Sequence, residues 1–356
     1  FALAGKQVLE ERRAAGDDAL GLAYQLATML KEQGKYDEAR PLLEHVLAVY
    51  ERTLGAEHED TLATMTNLAG LLSDQGDLAA AREMYERTLK GQERTLGAEH
   101  PNTLGAMGNL AIVLEEQGDL AAAREMFERT LEGQERTLGA EHPDTLGTLN
   151  NLADLLMQQG DHAAAREMFE RTLKAKESTL GAEHPSMLKT LGNLANLLTQ
   201  QGDLTAAREM YERTLKTQER TLGAAHPSTL GTLNNLALLL QKLGDLAAAR
   251  AMNERTLKAQ ESALGAEHPS TLATMMNLAG VLMQQGDLAA AREMFERTLK
   301  GEESTLGAEH PRTLKTMGNL ADLLGQQGDL AAARELYERS LKAKEGALGA
   351  EHPSTL

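Results

Sequence analysis

The residue best suited to chemistry in this sequence is histidine, and it returns every 42 residues: His58, His100, His142, His184, His226, His268, His310 and His352. Most of the series has glutamate before it, and imidazoles beside carboxylates are the raw material of metal sites and of general acid–base catalysis. Regular spacing argues against both uses. Equivalent positions in a repeating helical chain stand a helix-packing width apart, on the order of 10 Å, whereas a shared metal needs ligands about 2 Å away. No His-x-x-x-His or His-Glu-x-x-His pair occurs, and the recurring Gly-Asp turns lack the spacing of a calcium or phosphate loop. With no cysteine there is no thiolate ligand or nucleophile. The sequence reads as non-enzymatic, with no catalytic residue, metal or cofactor, and each histidine as a linker residue at the start of a helix.

A second series suits recognition better. Asn67, Asn109, Asn151, Asn193, Asn235, Asn277 and Asn319 each precede a Leu-Ala pair. A carboxamide donates and accepts, so a row of them can pair with the backbone of an extended peptide. The same row can instead bridge neighbouring helices and fix their register. Both roles are open on the sequence.

The elements that must position these residues are punctuated twice per period. Seven of the eight prolines, Pro101 to Pro353, directly follow a series histidine, while Glu59 replaces the first. Gly76-Asp77, Gly118-Asp119, Gly160-Asp161, Gly202-Asp203, Gly244-Asp245, Gly286-Asp287 and Gly328-Asp329 run in step with them. Between the marks Pro143 and Gly160, the residues Leu146, Leu149, Leu152, Ala153 and Leu156 form a helical stripe. Pro143 fits a first helical turn, where its missing N–H costs nothing. Gly160 suits the left-handed residue that ends the helix, and Asp161 the N-cap of the next. In that next helix His162, Ala165, Phe169, Leu173 and Leu180 share a face. Arg166 with Glu170 and Glu167 with Arg171 are spaced for ion pairs along its outer side. Gly181 ends it. A hairpin apolar on one side must stack on others to bury that side.

Composition narrows the partners. A net charge of −17 disfavours nucleic-acid backbones and anionic membranes. No apolar run reaches the roughly 18 residues of a membrane span, and Phe1–Ala4 is not a signal peptide. The absence of cysteine is compatible with a cytoplasmic location. Aromatics are scarce and tryptophan absent, so the core must be Leu, Ala and Met.

Leu152-Ala153, Leu156, Gly160, Ala165 and Phe169 resemble the tetratricopeptide repeat signature, in which small residues let two helices approach and an aromatic fills the gap. The small positions are Ala69, Ala111, Ala153, Ala195, Ala237, Ala279 and Ala321, then Ala81, Ala123, Ala165, Ala207, Ala249, Ala291 and Ala333. The 42-residue period, the Asn-Leu-Ala core and the Leu-Gly-x-x-His-Pro linker are similar to kinesin-light-chain repeats and related arrays. Two departures matter. The signature proline near the end of the second helix is absent, with Glu177 in its place, so that helix should run about two turns longer. Thr172 stands where alanine is usual.

The resemblance implies an all-α fold, a right-handed superhelical solenoid of hairpins. Residues 1–17 should be a partial helix and linker, 18–348 eight hairpins, and 349–356 the start of another, so the chain reads as a slice of a longer protein. The function implied is a protein–protein interaction scaffold, with the asparagine series lining a concave groove for a peptide or protein partner. Neighbouring groove positions (Asp74, Gly108, Glu115, Glu116, Asn150, Asp154, Asn196, Asp322) outweigh Lys189, Lys242 and Lys315, which favours a neutral or basic partner over an acidic one. The alternative is a spacer array that self-associates head to tail, through apolar ends such as Phe1, Leu3, Val8 and Leu9 at one terminus and Leu341, Leu348 and Leu356 at the other. Along the second helices the aromatic position reads Tyr85, Phe127, Phe169, Tyr211, Asn253, Phe295, Tyr337; Asn253 breaks it and should mark a soft spot.

Overall fold

A computed structural model describes residues 19–348. The partial helix expected at 1–17, the repeat start expected at 349–356 and the terminal residues Phe1, Leu3, Val8, Leu9 and Leu356 lie outside the described residues. The chain divides into two compact units, Phe1–Thr179 and Leu180–Leu356. The first holds α1 (residues 19–32), α2 (Tyr36–Thr53), α3 (Glu59–Asp74), α4 (Leu78–Thr95), α5 (Pro101–Glu116), α6 (Leu120–Thr137), α7 (Pro143–Gln158) and α8 (His162–Leu180) save its last residue. The second holds α9 (Pro185–Gln201), α10 (Leu204–Thr221), α11 (Pro227–Lys242), α12 (Leu246–Leu264), α13 (Pro269–Gln284), α14 (Leu288–Thr305), α15 (Pro311–Gln326) and α16 (Leu330–Leu348). No strand occurs among the described residues. The architecture is an α-solenoid of helical hairpins: α3 packs on α4 and α5 on α6, and α4 in turn packs on α5.

The turn inside each hairpin follows from its Gly-Asp pair. Gly160 has φ +82°, the left-handed conformation that glycine adopts without a Cβ penalty. That geometry lets the Asp161 N–H reach back to the Leu156 carbonyl at 2.9 Å, closing the end of α7. The Asp161 carboxylate then accepts the Ala164 N–H at 3.3 Å, satisfying one orphan donor of α8.

Close approach of the two helices depends on the small positions. Ala69, Ala111 and Ala153 on odd-numbered helices, and Ala81, Ala123 and Ala165 on even-numbered ones, have no exposed surface. A larger side chain at any of them would force the helices apart. Thr172, the departure from alanine, is also fully buried. It tolerates burial because its hydroxyl donates to the Met168 carbonyl at 2.7 Å. With Glu177 in place of proline, α8 continues to 19 residues.

Two details of the outer face differ from the sequence expectation. Arg166 pairs with Glu170 at 2.8 Å as the spacing requires, but Arg171 turns away from Glu167 and bonds Glu135 on α6. The same cross-hairpin pair joins Arg87 to Glu51 at 2.7 Å and, in the second unit, Arg339 to Glu303 at 2.6 Å. Leu180, expected on the buried face of α8, is 37% exposed because it lies at the helix end.

The aromatic position is buried in the interior hairpins: Phe127 and Phe169 at 0%, Tyr211 at 1%, Phe295 at 2%. Asn253 occupies the same place on α12 at 1% exposure, and its Oδ1 has no hydrogen-bond partner. An unpaired buried carbonyl costs about 1–3 kcal/mol, and a ring's packing is lost as well. Asn253→Phe should therefore raise stability by about 1 kcal/mol or more. Hydrogen exchange in the wild type should be faster over 249–256 than over 165–172; equal protection would contradict this account.

Candidate functional site

The histidine series has a defined structural role at the corner between hairpins. Each ring of the series among the described residues stands at the N-cap of an odd-numbered helix, where Nδ1 accepts the backbone N–H two residues on, as in Asn102 to His100 at 3.2 Å. The contact recurs at His58, His142, His184, His226, His268 and His310. The sequence placed these residues at helix starts but missed the capping bond, because histidine is not a usual cap.

A second bond closes the same corner. The fully buried Thr103 donates its hydroxyl to the Gly97 carbonyl at 2.8 Å. Thr61, Thr145, Thr229, Thr271 and Thr313 repeat it. At the corner before α9 the threonine is replaced by Met187, which has no hydroxyl to give. His100→Ala should cost about 0.5–1 kcal/mol, with His100→Asp restoring the cap. Thr103→Val should cost about 1 kcal/mol by removing that bond and leaving the Gly97 carbonyl only the His100 N–H at 3.4 Å. Urea unfolding of each variant measures both.

All seven series asparagines are half-buried on the odd-numbered helices. Three of them bond back to the preceding odd-numbered helix. Asn67 donates to the Tyr24 hydroxyl, Asn235 to Asn196 Oδ1 at 3.3 Å, and Asn319 to the Met276 sulfur at 3.4 Å. Asn109, Asn151 and Asn277 make no side-chain hydrogen bond among the described residues.

Recesses open beside this row at equivalent places in the two units. One, of about 410 Å³, is bounded by α3, the end of α4 and α5, and includes Asn67, Gln92 and Asn109. The other, of about 550 Å³, is bounded by α9, α10 and α11, and includes Asn193, Gln218 and Asn235. Gln92 and Gln218 are 6% and 4% exposed, and the Oε1 atom of each lacks a partner. Gln134 and Gln260 repeat the unpaired acceptor. Sequence reading passed over this glutamine series, although it keeps the 42-residue step.

Many charges counted at the groove are committed to internal contacts. Asp74 pairs with Lys31 at 3.3 Å, Asp322 accepts the Tyr337 hydroxyl, and Asn150 is 4% exposed and bonded to Asp154 at 3.2 Å. Lys242 donates to the Thr199 carbonyl at 3.4 Å. Burial pushes the Glu115 carboxyl above its ordinary range, against the bond it accepts from Gln158. Burial likewise raises the Tyr85 and Tyr211 phenols to about 12, so both stay protonated, and Tyr211 donates its hydroxyl to Asn196.

The hairpin stack, with polar amides on one row and no described helix long and apolar enough to cross a membrane, defines a helical-repeat scaffold. The tetratricopeptide repeat model matches in overlapping segments from 18–94 to 270–346, and the chain belongs to that family. The family's fold is a non-catalytic scaffold used in protein–protein interaction. No curated protein sequence matches the chain. Among solved structures it is similar to the nearly identical repeats of a candidate kinesin light chain from Podosopora anserina. That match has 31% identity and TM-score 0.54, covering 58% of this chain and 99% of the other. BtubC (BKLC) from P. vanneervenii shares the fold at 24% identity and TM-score 0.57, covering 66% and 94%. The apo quorum sensor NprR of B. thuringiensis shares it at 15% identity and TM-score 0.68, covering 96% and 94%.

Proposed function

We propose that the chain holds an extended segment of a protein partner along its odd-numbered helices, with the asparagine amides contacting the segment's backbone. The observation that carries this reading is the half-buried amide at one helical position in seven successive hairpins, beside recesses that hold further unpaired amide oxygens. The partner is neutral or basic, given the net charge of −17.

The asparagines divide the labour. Those bonded to a neighbouring odd-numbered helix also help fix hairpin register; those without such a bond are available to a ligand. Two triple variants separate the roles. Asn109, Asn151 and Asn277 changed to Ala should alter stability by no more than about 0.5 kcal/mol per site and should weaken partner capture by about 1 kcal/mol per lost contact. Asn67, Asn235 and Asn319 changed to Ala should lower stability by a similar amount per bond. Partner binding is read by pull-down and calorimetry, stability by urea titration. Undiminished capture by the first triple variant would refute the binding role.

A further inference from the structure

The α3–α5 recess carries a carboxylate at a position where its equivalents have none. Glu59 stands where each later repeat has proline, and it lines the recess. Glu59 is exposed and has no ion-pair partner among the described residues. The other carboxylate there, Glu57, is held by Arg94 at 2.5 Å. Deeper in the same recess Gln92 is 6% exposed, with an amide oxygen that lacks a donor. Asn67 and Asn109 add carboxamides, Leu62 and Leu96 an apolar wall, and no basic side chain lines the cavity. The recess thus offers a carboxylate and an unpaired acceptor beside a greasy wall: it is short of a donor-rich cation with an aliphatic stem.

The protein fills that same place itself five repeats later. There the counterparts of Glu59, Gln92, Asn102 and Ala106 are Pro269, Glu302, Arg312 and Thr316. Arg312 lays its guanidinium across the position, donating to the Pro269 carbonyl at 3.3 Å and pairing with Glu302 at 3.4 Å. Glu302 is 1% exposed and takes a second bond from the Thr316 hydroxyl at 2.6 Å. In the α3–α5 recess Asn102 is too short to do this, and Ala106 has no hydroxyl to offer Gln92. The acceptors remain while the internal guanidinium is missing.

We propose that the α3–α5 recess is a guanidinium subsite that seats an arginine side chain of the partner. Its aliphatic stem lies on Leu62 and Leu96. Its planar head pairs with Glu59 and donates to Gln92, whose amide presents its oxygen to the cavity by a half-turn of the terminal torsion. Arginine fits better than lysine because its five fixed N–H groups reach the carboxylate and the amide together. The proposal rests on the interaction reading above and specifies the chemistry of one contact in it.

The test uses the full chain with ¹⁵N-labelled Asn and Gln side chains and a capped alanine pentapeptide carrying one central arginine. The citrulline pentapeptide, equal in shape but uncharged, is the control. Saturable shifts of the Gln92 and Asn109 amides are expected with the arginine peptide, and affinity for the citrulline peptide should be lower by about tenfold or more. Glu59→Pro restores the residue found at this position in the later repeats, so it should fold, and it should erase the preference for arginine. The double variant Gln92→Glu with Asn102→Arg copies the internal pair and should block the recess. Equal binding of both peptides, no binding of the arginine peptide, or an unchanged preference in Glu59→Pro would each overturn the subsite. The groove reading fails separately, by its own asparagine variants.

Discussion

Everything in this structure depends on the contact between small residues at the centre of each hairpin. In most hairpins the odd-numbered and even-numbered helices meet at alanines with almost no exposed surface, and a buried ring such as Phe127, Phe169 or Phe295 fills the space the small residues leave open. Such a hairpin buries only one face by itself. Its stability comes from the next hairpin, so cohesion passes from neighbour to neighbour. Polar chemistry is arranged around that constraint. Cap and hydroxyl bonds close the corners, arginine–glutamate pairs run along the outer side, and the amides occupy a helix position that packing leaves half-open.

The fold was legible because repetition multiplies a weak signal. A single Gly-Asp pair is only a turn candidate, but the same pair at every period, in step with proline and a leucine stripe, marks the helix ends. The small positions and the aromatic position were legible for the same reason, and so was Asn253, since a break in a periodic column is conspicuous. What escaped was chemistry that reaches across the chain. The Thr103 hydroxyl bonds a carbonyl six residues back, and Arg171 reaches α6 where a nearer glutamate shared its helix. Helical spacing alone ranks neither contact.

The asparagine row was half legible. Its asparagines could be picked from the sequence, but which of them bond a neighbouring helix could not: Asn67, Asn235 and Asn319 do, whereas Asn109, Asn151 and Asn277 do not among the described residues. The glutamine series was missed because it sits near the end of the even-numbered helices, away from the row that drew attention. Its meaning depends on a residue in the following hairpin. Glu302 and Arg312 are the clearest case: a carboxylate replaces the amide where an arginine appears at the start of the next helix, and burying one without the other would be costly. Only the spatial pairing shows that the two departures from the repeat compensate each other.

The corner between hairpins has a consequence for how such a chain changes length. Its glycine, histidine cap and threonine hydroxyl complete their bonds within one linker and the first turn of the helix that follows. The corner's geometry is therefore written locally and carries no mark of its position along the array. A duplicated period inserted at a corner brings its own bonds, and its faces match the neighbours it meets unless it parts a compensating pair such as Glu302 and Arg312. Repeat number is then a nearly neutral variable, free to drift by unequal exchange in the gene, whereas a gain or loss of even one residue inside a period breaks the corner and the stack with it.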